Sequence, residues 1–77
     1  MEKDFVRKTI GENVRAFRKR DSVSLENLSE EMGLTPGYLG LVERGQRDLS
    51  CSEMYSLSQF FKVSTDEFFK SCGFASE

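Results

Sequence analysis

Apolar residues recur along this chain at helical rather than strand spacing. Val6, Ile10, Val14 and Phe17 fall in a narrow arc at about 100° per residue, with Lys8, Arg15 and Lys19 opposite, so Lys3 to Arg20 is predicted to be an amphipathic helix. Ser24 can cap a second helix in which Leu25, Leu28 and Met32 share one face, and Gly33 can end it in the left-handed conformation. Thr35 caps a third, Pro36 takes its first position, where a missing N–H costs nothing, Leu39 and Val42 turn to the core, and Gly45 stops it. Ser50 and Glu53 have the spacing of a capping box for a fourth helix carrying Met54, Leu57, Phe60 and Phe61. A second such box, Ser64 and Glu67, predicts a short fifth helix with Phe68 and Phe69, joined to the fourth by a bend at Lys62 and Val63. No sustained period-2 alternation and no hairpin signal interrupts this pattern. The expectation is an all-α, compact five-helix bundle, one domain over residues 1–77 with its core between 10 and 69.

Residues 24–45, SLENLSEEMGLTPGYLGLVERG, form two short helices with a brief Gly-containing connection. That is a helix-turn-helix, a motif that commonly lays its second helix in the major groove of DNA. Helix three, at 36–44, is then the element to test for a nucleic-acid surface. Gly37, Gly40, Leu41 and Arg44 project opposite the core positions, with Pro36 beside them.

Composition narrows the alternatives. A chain of 77 residues with 38% hydrophobic and 31% charged side chains builds one thin-cored domain. No apolar run approaches the roughly 20 residues of a membrane span, and the N-terminus lacks an apolar signal core, so a cytoplasmic chain with no membrane association is expected. Cys51 and Cys72 are expected to be free thiols. With no histidine, no CxxC spacing and no Gly-rich phosphate loop, neither a metal, a cofactor nor a catalytic group is expected, and pairs such as Glu30 with Glu31 and Asp66 with Glu67 read as solvated faces. The protein is expected not to be an enzyme.

Charge is uneven. Residues 1–20 hold seven basic and three acidic side chains, whereas residues 21–77 hold four basic and ten acidic, within a net charge of −2. Such a dipolar molecule can turn a basic face to phosphate while staying acidic overall.

Three segments in this order, IGENVRAFRKR, SLENLSEEMGLTPGYLGLVERG and the run from Ser50 through FFKVSTDEFF, resemble the phage repressor/Cro-type (XRE-like) helix-turn-helix family. The resemblance spans about Ile10 to Phe69. It implies a lambda repressor-like DNA-binding domain that regulates transcription as a homodimer on two-fold-symmetric double-stranded DNA. Residue by residue, it points to Thr35, Pro36, Gly37, Tyr38, Gly40, Leu41, Arg44, Gln46 and Arg47 as DNA-binding positions. It also implies an ion pair between Arg18 and Glu43 that links helix one to the recognition helix.

The chain departs from the family where specificity is usually made. Relatives often carry hydrogen-bonding side chains at the positions of Pro36, Gly37 and Leu41, and a phosphate-holding glutamine at that of Leu25. Two readings stay open. In one, small residues let the helix approach closely, Leu41 packs on a thymine methyl, and Tyr38 and Arg44 supply polar contacts. In the other, the apolar face meets protein, as in an antitoxin-like or assembly module. Asp48 is expected to repel the DNA backbone, while Arg44, Arg47 and the Arg15/Lys19 face offer phosphate contacts. With no ligand domain in the sequence, control would come from a regulatory protein partner, proteolysis or expression level. The aromatics Phe60, Phe61, Phe68, Phe69 and Phe74 cannot all point inward, and one left exposed is a candidate dimer seam.

Overall fold

The structure is a computed structural model that describes residues 2–70, with side chains from Asp4 onward. Four α-helices and a 3-10 turn follow one another: α1 Glu2–Arg20, α2 Leu25–Met32, α3 Pro36–Glu43, α4 Cys51–Phe61 and the turn Thr65–Phe69. The described residues include no strand.

Three of the four predicted starts are made by the side chain expected. Ser24 Oγ accepts from the Asn27 N–H (3.0 Å), Thr35 Oγ1 from the Tyr38 N–H (3.1 Å), and Ser50 with Glu53 closes a full capping box. The stops share one device. Each helix is followed by a residue in the left-handed region: Ser22 (φ 57°), Gly33 (φ 71°), Gly45 (φ 77°) and Lys62 (φ 60°). The next amide reaches back across the last turn: Val23 to Arg18 O, Leu34 to Ser29 O, Gln46 to Leu41 O and Val63 to Ser58 O. Val23, Leu34 and Val63 then pack against the core, sealing three of the four exits, whereas Gln46 stays exposed.

The core is Ile10, Val14, Leu28, Leu39, Val42, Met54, Leu57, Phe61 and Phe68, drawn from every element. Phe17 joins it, edge-on to Phe68 with ring centroids 5.4 Å apart and tilted against Phe61 at 5.7 Å.

Two expectations are corrected, the fifth helix with its cap and the burial of Val6, and the one for the adjacent phenylalanines holds. The fifth helix is a five-residue 3-10 turn, and the Ser64 side chain makes no capping hydrogen bond. The buried Asn13 amide donates to both Phe68 O (2.8 Å) and Lys70 O (2.6 Å), which anchors the end of this turn to α1. Val6 does not join the core; it is 40% exposed beside Phe5 at 61%, and burial on α1 begins at Thr9 and Ile10. Of the adjacent phenylalanines, Phe61 and Phe68 are buried, Phe60 is half-buried and Phe69 is 53% exposed. Cys51 is exposed at the start of α4, while the expectations for Cys72 and Phe74 lie outside the described residues.

α1 crosses the C-terminal end of α3 at Gly11 with no room for a side chain. A Cβ there would collide with the Val42 carbonyl oxygen and lie 2.7 Å from that of Glu43. Because the obstacle is backbone, the helices must separate to admit a methyl. Gly11→Ala is therefore expected to destabilise the fold by about 1–3 kcal/mol despite alanine's better helix propensity, read as a lower urea midpoint.

Candidate nucleic-acid interface

The turn between α2 and α3 presents α3 to solvent along one side. Leu39 and Val42 are buried and Tyr38 packs partly against the core, which leaves Gly37, Leu41 and Arg44 on the outward arc. Thr35, Pro36 and Gly37 are exposed, and a Cβ on Gly37 would meet nothing within 4 Å. Leu41 is partly buried and, unlike its apolar neighbours, does not pack on the core cluster. Gln46 and Arg47 are exposed in the loop after α3. Gly40 is placed differently from the sequence expectation. It is buried, with a Cβ there lying 3.6 Å from an Arg44 guanidinium nitrogen and 3.7 Å from Leu25, so Arg44 folds back over it.

Tyr38 also departs from expectation. Its hydroxyl proton is shared between Glu53 Oε1 (2.8 Å) and the Asp48 carbonyl (2.9 Å), and the Arg47 guanidinium stacks 5.3 Å from its ring centroid. Burial, followed by the bond to Glu53, pushes the phenol above its ordinary range. Tyr38 therefore braces the start of α3 against the capping box of α4 and does not extend outward. A shallow open groove of about 460 Å³ runs beside it, lined by Gly33, Leu34, Thr35, Tyr38, Arg47 and Glu53.

The carboxylates flanking α3 are both held by arginines from α1. Arg18 makes a bidentate pair with Glu43 (2.7 and 3.1 Å), and its remaining nitrogen donates to Val23 O (3.1 Å). The two side chains are 16% and 8% exposed, and the Glu43 hydrogen bond holds the guanidinium above its usual value. Arg7 grips Asp48 in the same forked manner (2.8 and 3.2 Å), so the repulsion expected of Asp48 is offset by a neighbouring cation. Leu25, the other departure, packs against the core.

A family model described as "Helix-turn-helix" matches residues 14–68. The chain belongs to the XRE-like helix-turn-helix family of DNA-binding transcriptional regulators. The control protein C.SmaI of Serratia marcescens is 31% identical over 72 residues, covering 94% of this chain and 86% of that protein. The restriction-modification controller protein C.AhdI of Aeromonas hydrophila superposes with a TM-score of 0.75 at 32% identity, over 82% of this chain and 96% of that one. The clp gene regulator ClgR of Corynebacterium glutamicum gives 0.78 at 30% identity, over 82% and 67%.

Two contacts of this regulator have no signature in sequence. Arg7 and Asp48 are 41 residues apart, and nothing in their neighbourhoods announces the pair. Tyr38 and Glu53 belong to separate capping motifs that only the packing of α3 on α4 joins.

The Arg18–Glu43 pair is mostly buried, so removing one partner strands a charge. Glu43→Ala is expected to cost about 3 kcal/mol or more in thermal unfolding, and a double replacement by apolar residues to recover much of it. Glu53 gives a pH prediction. The Ser50 N–H holds its carboxyl below the ordinary value of 4.5, opposed by partial burial and aided by the Tyr38 hydroxyl. A depressed carboxylate contributes stability that is fully present above pH 4.5 and is lost as pH falls through the lower folded value. Acid titration of stability is thus expected to be less steep in that range for Glu53→Gln than for the natural chain.

Proposed function

We propose that α3 enters the major groove of double-stranded DNA as one half of a homodimer, and that the protein controls transcription by binding alone, without catalysis, in the cytoplasm. The observation that carries this reading is the state of the α3 surface. Its outward arc is open, Arg44 and Arg47 border it, and the carboxylates on either side are each held by an arginine of α1. A surface occluded by its own chain or walled by uncompensated acids would have spoken against DNA.

The control and controller proteins among its relatives support a compact regulator of the same kind. Dimerisation is supported by the economy of the motif, since one recognition helix reads few base pairs and two half-sites a helical turn apart multiply the discrimination. Tyr55 at 60% and Phe69 at 53% exposure supply apolar surface for a seam, which a monomeric mass in light scattering at high concentration would remove. Among the described residues no helix is long and apolar enough to cross a membrane.

Affinity should be modest in its electrostatic part. Two or three phosphate contacts per subunit give a slope of log K against log salt of about −2 to −3 per subunit. Mobility shift with duplexes enriched from a randomised library is expected to show this shallow slope, with Arg44→Ala and Arg47→Ala each weakening binding. A slope typical of a strongly basic repressor, or no duplex enriched at all, would overturn the assignment of this face.

A further inference from the structure

Building on that placement of α3, we propose that the recognition face selects sequence chiefly through the C5-methyl groups of pyrimidines, contacted by Leu41, rather than through a row of hydrogen-bonded base edges. Elimination along the helix leads there. The Thr35 oxygen accepts from the Tyr38 N–H, which leaves one hydroxyl proton to donate at the very start of the helix, Pro36 has no N–H, Gly37 has no side chain, and the Tyr38 hydroxyl is occupied by Glu53 and Asp48. Gly40 lies buried under Arg44. What reaches outward from the helix is one cation, Arg44, and one apolar knob, Leu41.

Leu41 is the informative residue. Leu39 and Val42 beside it are buried in the core, yet Leu41 is only partly buried and does not join that cluster. In the major groove the thymine C5-methyl is the apolar feature of a base edge, and a methyl on C5 of cytosine projects from the equivalent ring position. Gly37, one helical turn before Leu41, faces open space and leaves the backbone free to approach, so the turn before Leu41 adds no side chain that would hold the leucine away from the groove floor. Arg44 and Arg47 supply the phosphate or guanine contact that brings the apolar knob into register.

The test uses duplexes enriched by the full chain from a randomised library. Each thymidine of an enriched duplex is replaced in turn by deoxyuridine. At the same positions, cytosine is compared with 5-methylcytosine. Both comparisons change little besides the methyl. Removing it at the contacted position is expected to weaken binding roughly three- to fivefold per half-site, the effect of burying one methyl-sized group, and 5-methylcytosine is expected to bind tighter than cytosine by a similar factor. Both differences should disappear in Leu41→Ala at unchanged melting temperature. Gly37→Ala, which fits open space and favours the helix, should reduce the methyl preference while raising the melting temperature.

An enriched duplex indifferent to every deoxyuridine, or a methyl preference that survives in Leu41→Ala, would overturn methyl reading and leave groove binding standing. Failure to enrich any duplex would overturn both. The deoxyuridine series on the unaltered chain decides the matter even if Leu41→Ala fails to fold.

Discussion

The contact of α1 with the C-terminal end of α3 is the constraint on which the recognition surface depends. Arg7, Gly11, Val14 and Arg18 lie on a single stripe of α1, spaced by whole turns. Arg7 holds the loop after α3 through Asp48, Gly11 lets the two backbones touch, Val14 is fully buried, and Arg18 fixes Glu43. A helix of eight residues is too short to be stable by itself. The orientation of α3 is therefore imposed from outside it, by this stripe on one side and by the Tyr38–Glu53 brace on the other.

The same stripe sets the electrostatics. The chain carries net charge −2, yet the acids flanking α3 do not confront a ligand as free charges, because α1 supplies a forked guanidinium to each. Basic side chains near the N-terminus thus divide into two groups. Arg7 and Arg18 compensate carboxylates within the fold, while Arg15 and Lys19 remain exposed. Counting charges along the sequence cannot make that division, since it depends on partners 25 and 41 residues away.

Local chemistry was legible and long-range chemistry mostly was not. Ser24, Thr35, Ser50 and Gly33 act within one turn of themselves, so their roles follow from spacing. The core positions Leu28, Leu39, Val42 and Leu57 follow from periodicity for the same reason. Ser64 has the spacing of a cap but makes none, and the turn after it is anchored at its far end by Asn13 of α1, a contact 55 and 57 residues away that no local spacing encodes. The left-handed conformation of Ser22 and Lys62 was not legible, although the bend at Lys62 was, because these residues carry a Cβ that disfavours it; in both cases the next residue, Val23 or Val63, packs on the core. At the candidate surface the periodicity placed Gly37, Leu41 and Arg44 correctly, and the structure moved Gly40 under Arg44 and turned Tyr38 inward. The ion pair of Arg18 with Glu43 came from family resemblance, and the structure bears it out at hydrogen-bonding distance.

Gly37 carries one more implication. A solvent-facing helical site with empty space above it is a blank in the reading surface, one that can accept a new side chain without disturbing the scaffold that aims it. Glutamine, asparagine or arginine written there would exchange the close approach that serves Leu41 for a hydrogen-bonding arm, so this small bundle offers a starting point for retargeting without rebuilding the fold.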